Sequence, residues 1–498
     1  MNRPRCLASA FAAVFLSAAL SSATEPIDVG DRACLFLDDR FVAEQSGLKR
    51  TWHQGQPRPE VAIKATEPWE KWPHIWGSVI RDPKDGLYKM YYESAIMPRR
   101  EGPGRTSSLT CYICYAESKD GKTWSKPKLG LFEDLGSKEN NIVVTDAEFG
   151  KVFVDPLETD PAKRLKMFAY LMRPYPYPDG GQSECLLSSA DGLHWKFESG
   201  FDKPVYVHPE NGGFTDSQTF MWDPITGLYR AYVRTFAPNP VAQNPYGRRA
   251  IGVSHCQILN KNWSPIAHVV AADERDDAAV APLSKNPAAP DWAELYCMPY
   301  FNYGNHYLGL LSILYFIDKS DFNGGGDLQL TFSHDAKTWY RHPERQTLIG
   351  PSNAAPELFP TYIQLSPPLE LGDEMWMYYS EANGAHPIAP FDKAISQIRA
   401  AVWRRDGFVS LDAEPKGTLT TVPLMFDGRQ LQVNLEGDVV VAMLNEQGQP
   451  IAEFKPQQLK GDSVAQKVDW DLSSIAGKPI RLRFDVNQGR LWSFRFTQ

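Results

Sequence analysis

The feature that most constrains this chain is a short motif that returns at long, nearly even intervals. Ser118-Lys-Asp120-Gly121-Lys-Thr-Trp124 recurs as Ser189-Ala-Asp191-Gly192-Leu-His-Trp195 and again as Ser333-His-Asp335-Ala-Lys-Thr-Trp339. A degraded copy occupies residues 254–263 and ends on Trp263, and a last fragment is Arg404-Arg-Asp406-Gly407. The four tryptophans stand 71, 68 and 76 residues apart. Ahead of each copy comes a second repeated element: a strand, a turn and an aromatic strand. Residues 76–92 carry it around Asp82-Pro83 and Gly86, and residues 219–232 carry it around Asp223-Pro224 and Gly227. Looser copies surround Asp155-Pro156, Gly304 and Gly372. Asp-Pro and Asp-Gly punctuate hairpins, because Pro fixes φ and Gly supplies a left-handed backbone.

Each unit reads as strand, turn, aromatic strand, longer loop, third strand, Asp-Gly turn and Trp-bearing fourth strand. Four antiparallel strands in about 70 residues, repeated radially, make a β-propeller. Five units predict a five-bladed propeller over residues 24–415. An aromatic content of 12%, with Gly 36 and Pro 39, suits such a turn-rich all-β chain. The Trp of each unit is expected to pack between neighbouring blades. The stretch Cys34-Leu-Phe-Leu-Asp38-Asp39-Arg40-Phe-Val42 is read as an extended segment that closes the ring against the last blade. From Thr418 the pattern stops. Residues 431–435, 439–444, 480–484 and 491–496 alternate as short strands, with turns at Gly448-Gln-Pro450 and Gly477-Lys-Pro479. Residues 416–498 are expected to form a jelly-roll-like β-sandwich. The predicted fold class is all-β, a five-bladed β-propeller followed by a small C-terminal β-sandwich.

The first 23 residues stand apart from the repeats. Arg3 and Arg5 precede an apolar stretch over residues 7–20, and Ser21-Ser22-Ala23 offers small residues to a signal peptidase. The stretch is short for a membrane span, which takes about 20 apolar residues. It predicts export to the periplasm or the outside, with no membrane part in the mature form. A formal charge of −8 without a basic run excludes nucleic acid as a partner, since phosphate neutralisation needs clustered Lys and Arg. Cys111-Tyr-Ile-Cys114 lies in an apolar run that reads as a strand, where positions three apart face opposite sides, so it is read as structural. No clustered metal motif or phosphate loop is present. The expected cofactor set is none, with a structural Ca²⁺ in the channel left open.

The order of leader, Leu-Phe-Leu-Asp38-Asp39, Glu67-Pro-Trp-Glu70, Cys114-Tyr-Ala-Glu117-Ser118 and Asp216-Ser-Gln218 with Phe220-Met-Trp-Asp223-Pro224 resembles a group of secreted bacterial proteins. These in turn resemble the five-bladed glycoside hydrolases of families 32, 43, 117 and 130. The resemblance implies carboxylates on the innermost strands around the central channel. One serves as base or nucleophile, one as acid, and often a third tunes the acid.

Glycoside hydrolysis needs a proton donor on the leaving oxygen and a second carboxylate that activates water or attacks carbon. Turn carboxylates are set aside first. Asp82, Asp155 and Asp223 recur in the Asp-Pro turn, and Asp120, Asp191, Asp335 and Asp406 in the Asp-Gly turn. A residue present in every blade serves the blade. The carboxylates that break the repeat near the start of an innermost strand are Asp216, Glu294 and Glu357. Asp216 is assigned as base or nucleophile and Glu294 as acid, with the roles exchangeable and a solvated loop acid as the alternative for each. Glu357 or Asp327, which opens a third strand, is expected to tune the pair, and Glu381 is held in reserve. His74, Trp76, Arg99, Gln218 and Asp327 are the expected substrate contacts; His74 equally suits a hydrogen-bonded structural role. The chain is thus expected to be a secreted glycosidase acting on a poly- or oligosaccharide. Two alternatives stay open: a non-catalytic carbohydrate-binding propeller, which keeps the aromatic lining without the acid pair, and a polysaccharide lyase, which uses Tyr, His or Arg instead.

Overall fold

The computed structural model describes residues 25–96, 110–171, 183–198, 219–238, 247–259, 261–283, 291–317, 325–383 and 395–498. Five antiparallel sheets of four or five strands follow one another along the chain. Blade one opens with a first strand in two pieces, Trp72–His74 and Val79–Arg81, followed by Tyr88–Ile96, Thr110–Ser118 and Ile142–Thr145. Blade two is Ala147–Val154, Leu165–Leu171, Ser183–Ser189 and Lys196–Phe197. Blade three is Thr219–Asp223, Leu228–Ala237, Arg248–Cys256 and Ala267–Val270. Blade four opens with Trp292–Cys297 and Tyr300–Tyr303 and continues through His306–Phe316, Gly326–Ser333 and Trp339–Arg341. Blade five has Phe359–Ile363 with Leu369–Leu371, then Glu374–Ala382 and Ser396–Arg404. The five-bladed propeller read from the repeat is therefore present. Trp339 stands within a fourth strand as expected, but Trp124 does not, because blade one completes itself later with Ile142–Thr145.

The ring closes differently from the expectation. The outermost strand of blade five is Gln56–Lys64, paired antiparallel to Ser396–Arg404. Its Pro57 and Pro59 disguise it as a loop in the sequence. An outermost strand needs only one row of ladder hydrogen bonds and so tolerates proline. The segment first given that task belongs to the C-terminal sheet. Cys34–Leu35 pairs with Ile480–Thr497 at Phe494 and Ser493, and Val42–Trp52 pairs with Val409–Thr421. The propeller boundary at residue 24 therefore moves inward, and residues 27–52 join the C-terminal unit. That unit is one continuous eight-stranded sheet bent over its own core of Val433, Val441, Leu482, Phe484, Phe494 and neighbours. The incoming segment ties the two units together by alternation. Cys34 and Phe36 enter the core of the C-terminal sheet, while Ala33, Leu35 and Leu37 enter the core shared by blades four and five.

The repeated motifs turn out to be blade-to-blade fasteners. In the Asp-Gly turn, the carbonyl after the Asp accepts a hydrogen bond from a tyrosine on the second strand of the preceding blade. Tyr91 donates to Gly192 O at 3.0 Å, Tyr232 to Ala336 O at 2.6 Å and Tyr378 to Gly121 O at 2.5 Å. The motif tryptophan meets the same tyrosine edge-on, with centroids 5.4 Å apart for Trp124–Tyr378, 5.8 Å for Trp195–Tyr91 and 5.4 Å for Trp339–Tyr232. Edge-to-face pairs of this kind add about 0.5–1.5 kcal/mol beyond their burial. The Asp of the Asp-Pro turn works in the other direction, toward the following blade. Asp82 takes both terminal nitrogens of Arg164 at 2.7 and 2.6 Å, Asp155 accepts from Tyr229 at 2.7 Å, and Asp223 accepts from Tyr307 at 3.0 Å. The recurring carboxylates thus serve the ring, as the sequence argument held.

Candidate active site at one end of the channel

All five first strands start at the same end of the ring, and four of them send an aromatic ring to the axis. Trp76 of blade one lies 4.2 Å from Phe149 of blade two, 5.1 Å from Tyr296 of blade four and 4.3 Å from Tyr362 of blade five, centroid to centroid. Residues from four blades meet one ring only on the propeller axis. These rings form a plug that divides the channel into two chemically different ends.

Beyond the plug, where the first strands finish, lies a cavity of about 370 Å³. It is lined mainly by Val79, Ile80, Val152, Phe220, Leu365 and Pro367, and Glu370 is the carboxylate among its lining residues. Among the described residues that end offers no acid pair.

At the other end, where the first strands begin, polar groups gather above the rings. The Nδ1–H of His74 donates to the Trp72 carbonyl at 2.9 Å. A carbonyl only accepts, so the hydrogen sits on Nδ1. Nε2 then stands 3.3 Å from Oε1 of Glu93, buried, without the alignment of a hydrogen bond. The other oxygen of Glu93 accepts the backbone N–H of Phe149 at 3.1 Å. Cys111, on the third strand, donates weakly to Oε1 of Glu148 at 3.5 Å. Burial, and then the Glu148 and Glu93 carboxylates, push the Cys111 thiol well up, so it is neither thiolate nor nucleophile. Cys114 faces the opposite side, into the core between blades one and five, and both cysteines are free. The structural reading of the C-x-x-C run therefore stands.

Glu294 reaches the same end from blade four. Trp292 and Glu294 share a face of one strand, and the register shifts at Tyr296, further along it. Tyr296 enters the plug; Glu294 accepts from Trp292 Nε1 at 2.9 Å and from Arg249 of blade three at 3.0 Å. The Arg249 guanidinium lies 5.6 Å from the ring centres of both Tyr296 and Phe316. Donors on both carboxylate oxygens, one of them a cation, suit an anion.

The expected site residues thus separate. His74, Trp76 and Glu294 come to this end of the channel. Glu357 is exposed in the turn before the first strand of blade five. Asp327 is buried on the third strand of blade four, bonded to Thr347 and to Gln329, which in turn contacts Arg341. Burial pushes the Asp327 carboxyl up, opposed by those hydrogen bonds. Glu381 is spent on Arg399 at 2.7 Å, both fully buried. Asp216, Gln218, Arg99 and the leader lie outside the described residues.

Glu93, Glu148 and Arg249 were missed, and for Glu148 a signal existed. Trp76 stands six residues before Asp82, and Phe149 six before Asp155. Counting back from the Asp-Pro turn therefore finds the axial position, and Glu148 beside it. By the same count Asp216 stands seven residues before Asp223, as Glu148 does before Asp155.

Oxygen and sulfur atoms of Glu93, Cys111 and Glu148 all lie within 4.8 Å of one another. Calcium takes six to eight oxygen ligands. Two carboxylates and a neutral thiol are by themselves too few oxygen donors to hold it.

No family model matches the sequence, and no curated protein is similar to it. Solved structures are similar in architecture. One described as a glycoside hydrolase is 13% identical, with 70% of this chain and 92% of that chain covered and a TM-score of 0.45. A family 32 β-fructofuranosidase of Bombyx mori is 9% identical, with 89% and 95% covered and a TM-score of 0.42. An N-acetylgalactosamine deacetylase from F. plautii is 14% identical, with 72% and 96% covered and a TM-score of 0.40. The likeness is one of fold, and those names span more than one reaction. The described residues include no helix long and apolar enough to cross a membrane.

Proposed function

We propose that this chain is an exported glycoside hydrolase acting on a poly- or oligosaccharide at the channel end where the first strands begin. The reading is supported by the closeness of Glu93 and Glu148 beside the axial rings, and by Glu294 on the strand that carries the axial Tyr296. These carboxylates stand where the blades stop resembling one another. Sugars stack on flat aromatic faces, and glycosidic bonds break between a carboxylic acid and a carboxylate. Glu93 and Glu148 bring oxygens within 4.8 Å. Glu148, the less buried of the two, is the proton donor in this reading, with Glu93 and His74 behind it. Glu294, with donors on both oxygens, is the ionised partner that activates water or attacks the anomeric carbon. This exchanges the role first assigned to Glu294. Asp216 is retained as a further carboxylate of the site, on its sequence offset alone. The test is a screen of the purified protein against plant and algal glycans with products read by mass. Saturated sugars released by wild type and not by Glu148→Gln support hydrolysis. An ultraviolet-absorbing unsaturated product means a lyase, and binding without any product means a sugar-binding propeller.

A further inference from the structure

At the hairpin where the first strand of blade four finishes, Asp38, His306 and His334 bring one donor atom each to within 4.8 Å of the others. They come from three separate pieces of chain. His306 opens the second strand of blade four, His334 follows its third strand in the Asp turn, and Asp38 sits on the N-terminal segment that joins the two units. His334 Nε2 lies 2.7 Å from Oδ2 of Asp38, and the two imidazoles are 5.2 Å apart, centroid to centroid.

His306 is the informative member. Its side chain is fully buried, yet neither ring nitrogen has a hydrogen-bond partner among the described residues. The Nδ1 of His334 is buried and unpartnered as well. Burying a polar group without a partner is costly, and native structures rarely tolerate it without an unseen ligand. The ring of His306 is gripped edge-on by Phe41 and Phe332, at 5.7 and 6.2 Å, so it is held in place without being satisfied. The hairpin that carries it is pinned to the N-terminal segment: Asn305 N–H donates to Ala33 O at 2.9 Å, and its side chain to Arg32 O at 3.2 Å. Asp38 is oriented by the backbone N–H of Arg40 at 3.0 Å.

The geometry points to a divalent transition-metal site formed by Asp38, His306 and His334, with Zn²⁺ as the reference ion. Two imidazoles and one carboxylate are a donor set that Zn²⁺ takes in tetrahedral geometry, and such sites commonly leave one position to water. The side chains of His334 and Asp38 are 23% and 33% exposed, which gives solvent that fourth position. Arg40 adds a positive charge nearby, its guanidinium 5.8 Å from the Phe41 ring centre, and Asp38 supplies the compensating negative charge. The site is separate from the channel carboxylates. Its three ligands join blade four to the segment that is stitched into the C-terminal sheet, so the ion acts as a clamp between the two units.

The experiment uses the untagged full chain, stripped with a chelator and titrated with Zn²⁺, with bound metal measured by mass spectrometry after desalting. One equivalent should be retained and should raise the melting temperature, because a ligand bound only by the folded state stabilises it. His334→Ala and Asp38→Asn change partly exposed groups; each should weaken Zn²⁺ binding by at least about 100-fold while circular dichroism shows a folded chain. Co²⁺ in place of Zn²⁺ should give the visible absorption of a four-coordinate ion in wild type and not in His334→Ala. Retention of no Zn²⁺ by the wild-type chain overturns the inference. So does Zn²⁺ that persists in both variants but leaves in Cys111→Ser, because that ion sits at Glu93, Cys111 and Glu148 instead.

Discussion

Glu294 on the first strand of blade four is held 3.0 Å from the guanidinium of Arg249 on the third strand of blade three. The pair spans a blade boundary directly above Tyr296. It links the charge state of the proposed base to the packing of two blades. Arg249→Gln removes the cation and leaves Glu294 buried with, among the described residues, the Trp292 N–H. Stability should fall by about 1.5–3 kcal/mol, the range for a hydrogen bond to a charged group, and turnover should fall with it. Arg249→Lys keeps the charge but loses the flat guanidinium over Tyr296 and Phe316, so it should recover stability better than turnover. Urea denaturation and rate measurements on the two variants check this.

Asp82 is fully buried and carries three charge-assisted contacts, two from Arg164 and one from Lys89 at 2.6 Å. Asp82→Asn takes the carboxylate from partly exposed Arg164 and from buried Lys89, which keeps Asp85 at 2.8 Å. The expected cost is about 1.5–3 kcal/mol, the range for hydrogen bonds to a charged group. Rate per folded molecule should stay near wild type, because the residue fastens blade one to blade two and lies outside the proposed site. Loss of turnover in well-folded Asp82→Asn would assign the turn residue a catalytic role.

Gly192 adopts φ +83°, and a Cβ built there meets the Tyr91 hydroxyl at 2.3 Å. That hydroxyl makes the fastener between blades one and two. Gly192→Ala should therefore both strain the backbone, by about 1–2 kcal/mol, and push Tyr91 off its acceptor. Tyr91→Phe should cost about 0.5–1.5 kcal/mol, the worth of one hydrogen bond, because the Gly192 carbonyl keeps the Trp195 Nε1–H at 3.0 Å. The double variant should cost less than the sum, since the two changes break one contact. Thermal melts of the three proteins decide it.

Acid should unfold this protein through its turns. The backbone N–H of Thr123, opposed by burial and joined by the N–H of Lys122, brings Asp120 down to about 2. At Asp335 burial pulls upward, but the N–H groups of Thr338 and Lys337 outweigh it and again give about 2. In the unfolded chain these groups take up protons near 3.8. The folded-state values are depressed, so the stabilisation is present in full above about pH 4–5 and is lost as pH falls toward about 2. The free energy of unfolding measured across that window should decline steeply in wild type and less steeply in Asp120→Ala.

The blades were legible because a fastener must recur. Asp82 and Asp223, or Trp124, Trp195 and Trp339, do the same job at each boundary, and repetition shows it in one sequence. The joins between first and last residues were not. The pairing of Cys34 with Phe494 leaves no local trace, and Pro57 and Pro59 make the closing strand look like a loop. The site was half legible. Glu294 breaks the repeat at a strand start, whereas Glu93 ends an aromatic strand that reads as core. Glu148 was legible only by counting back seven residues from Asp155, because blade two lacks the aromatic spacing that marks blades one and three.

Turnover of Glu148→Gln and Glu294→Gln on a glycan that the wild-type protein cleaves tests the central claim most directly. Both variants should stay folded and keep binding the sugar, and each should cleave at least about 10²-fold more slowly, the usual worth of a positioned proton-transfer group. Folded variants that cleave at the wild-type rate would contradict the claim and move the chemistry away from this end of the channel.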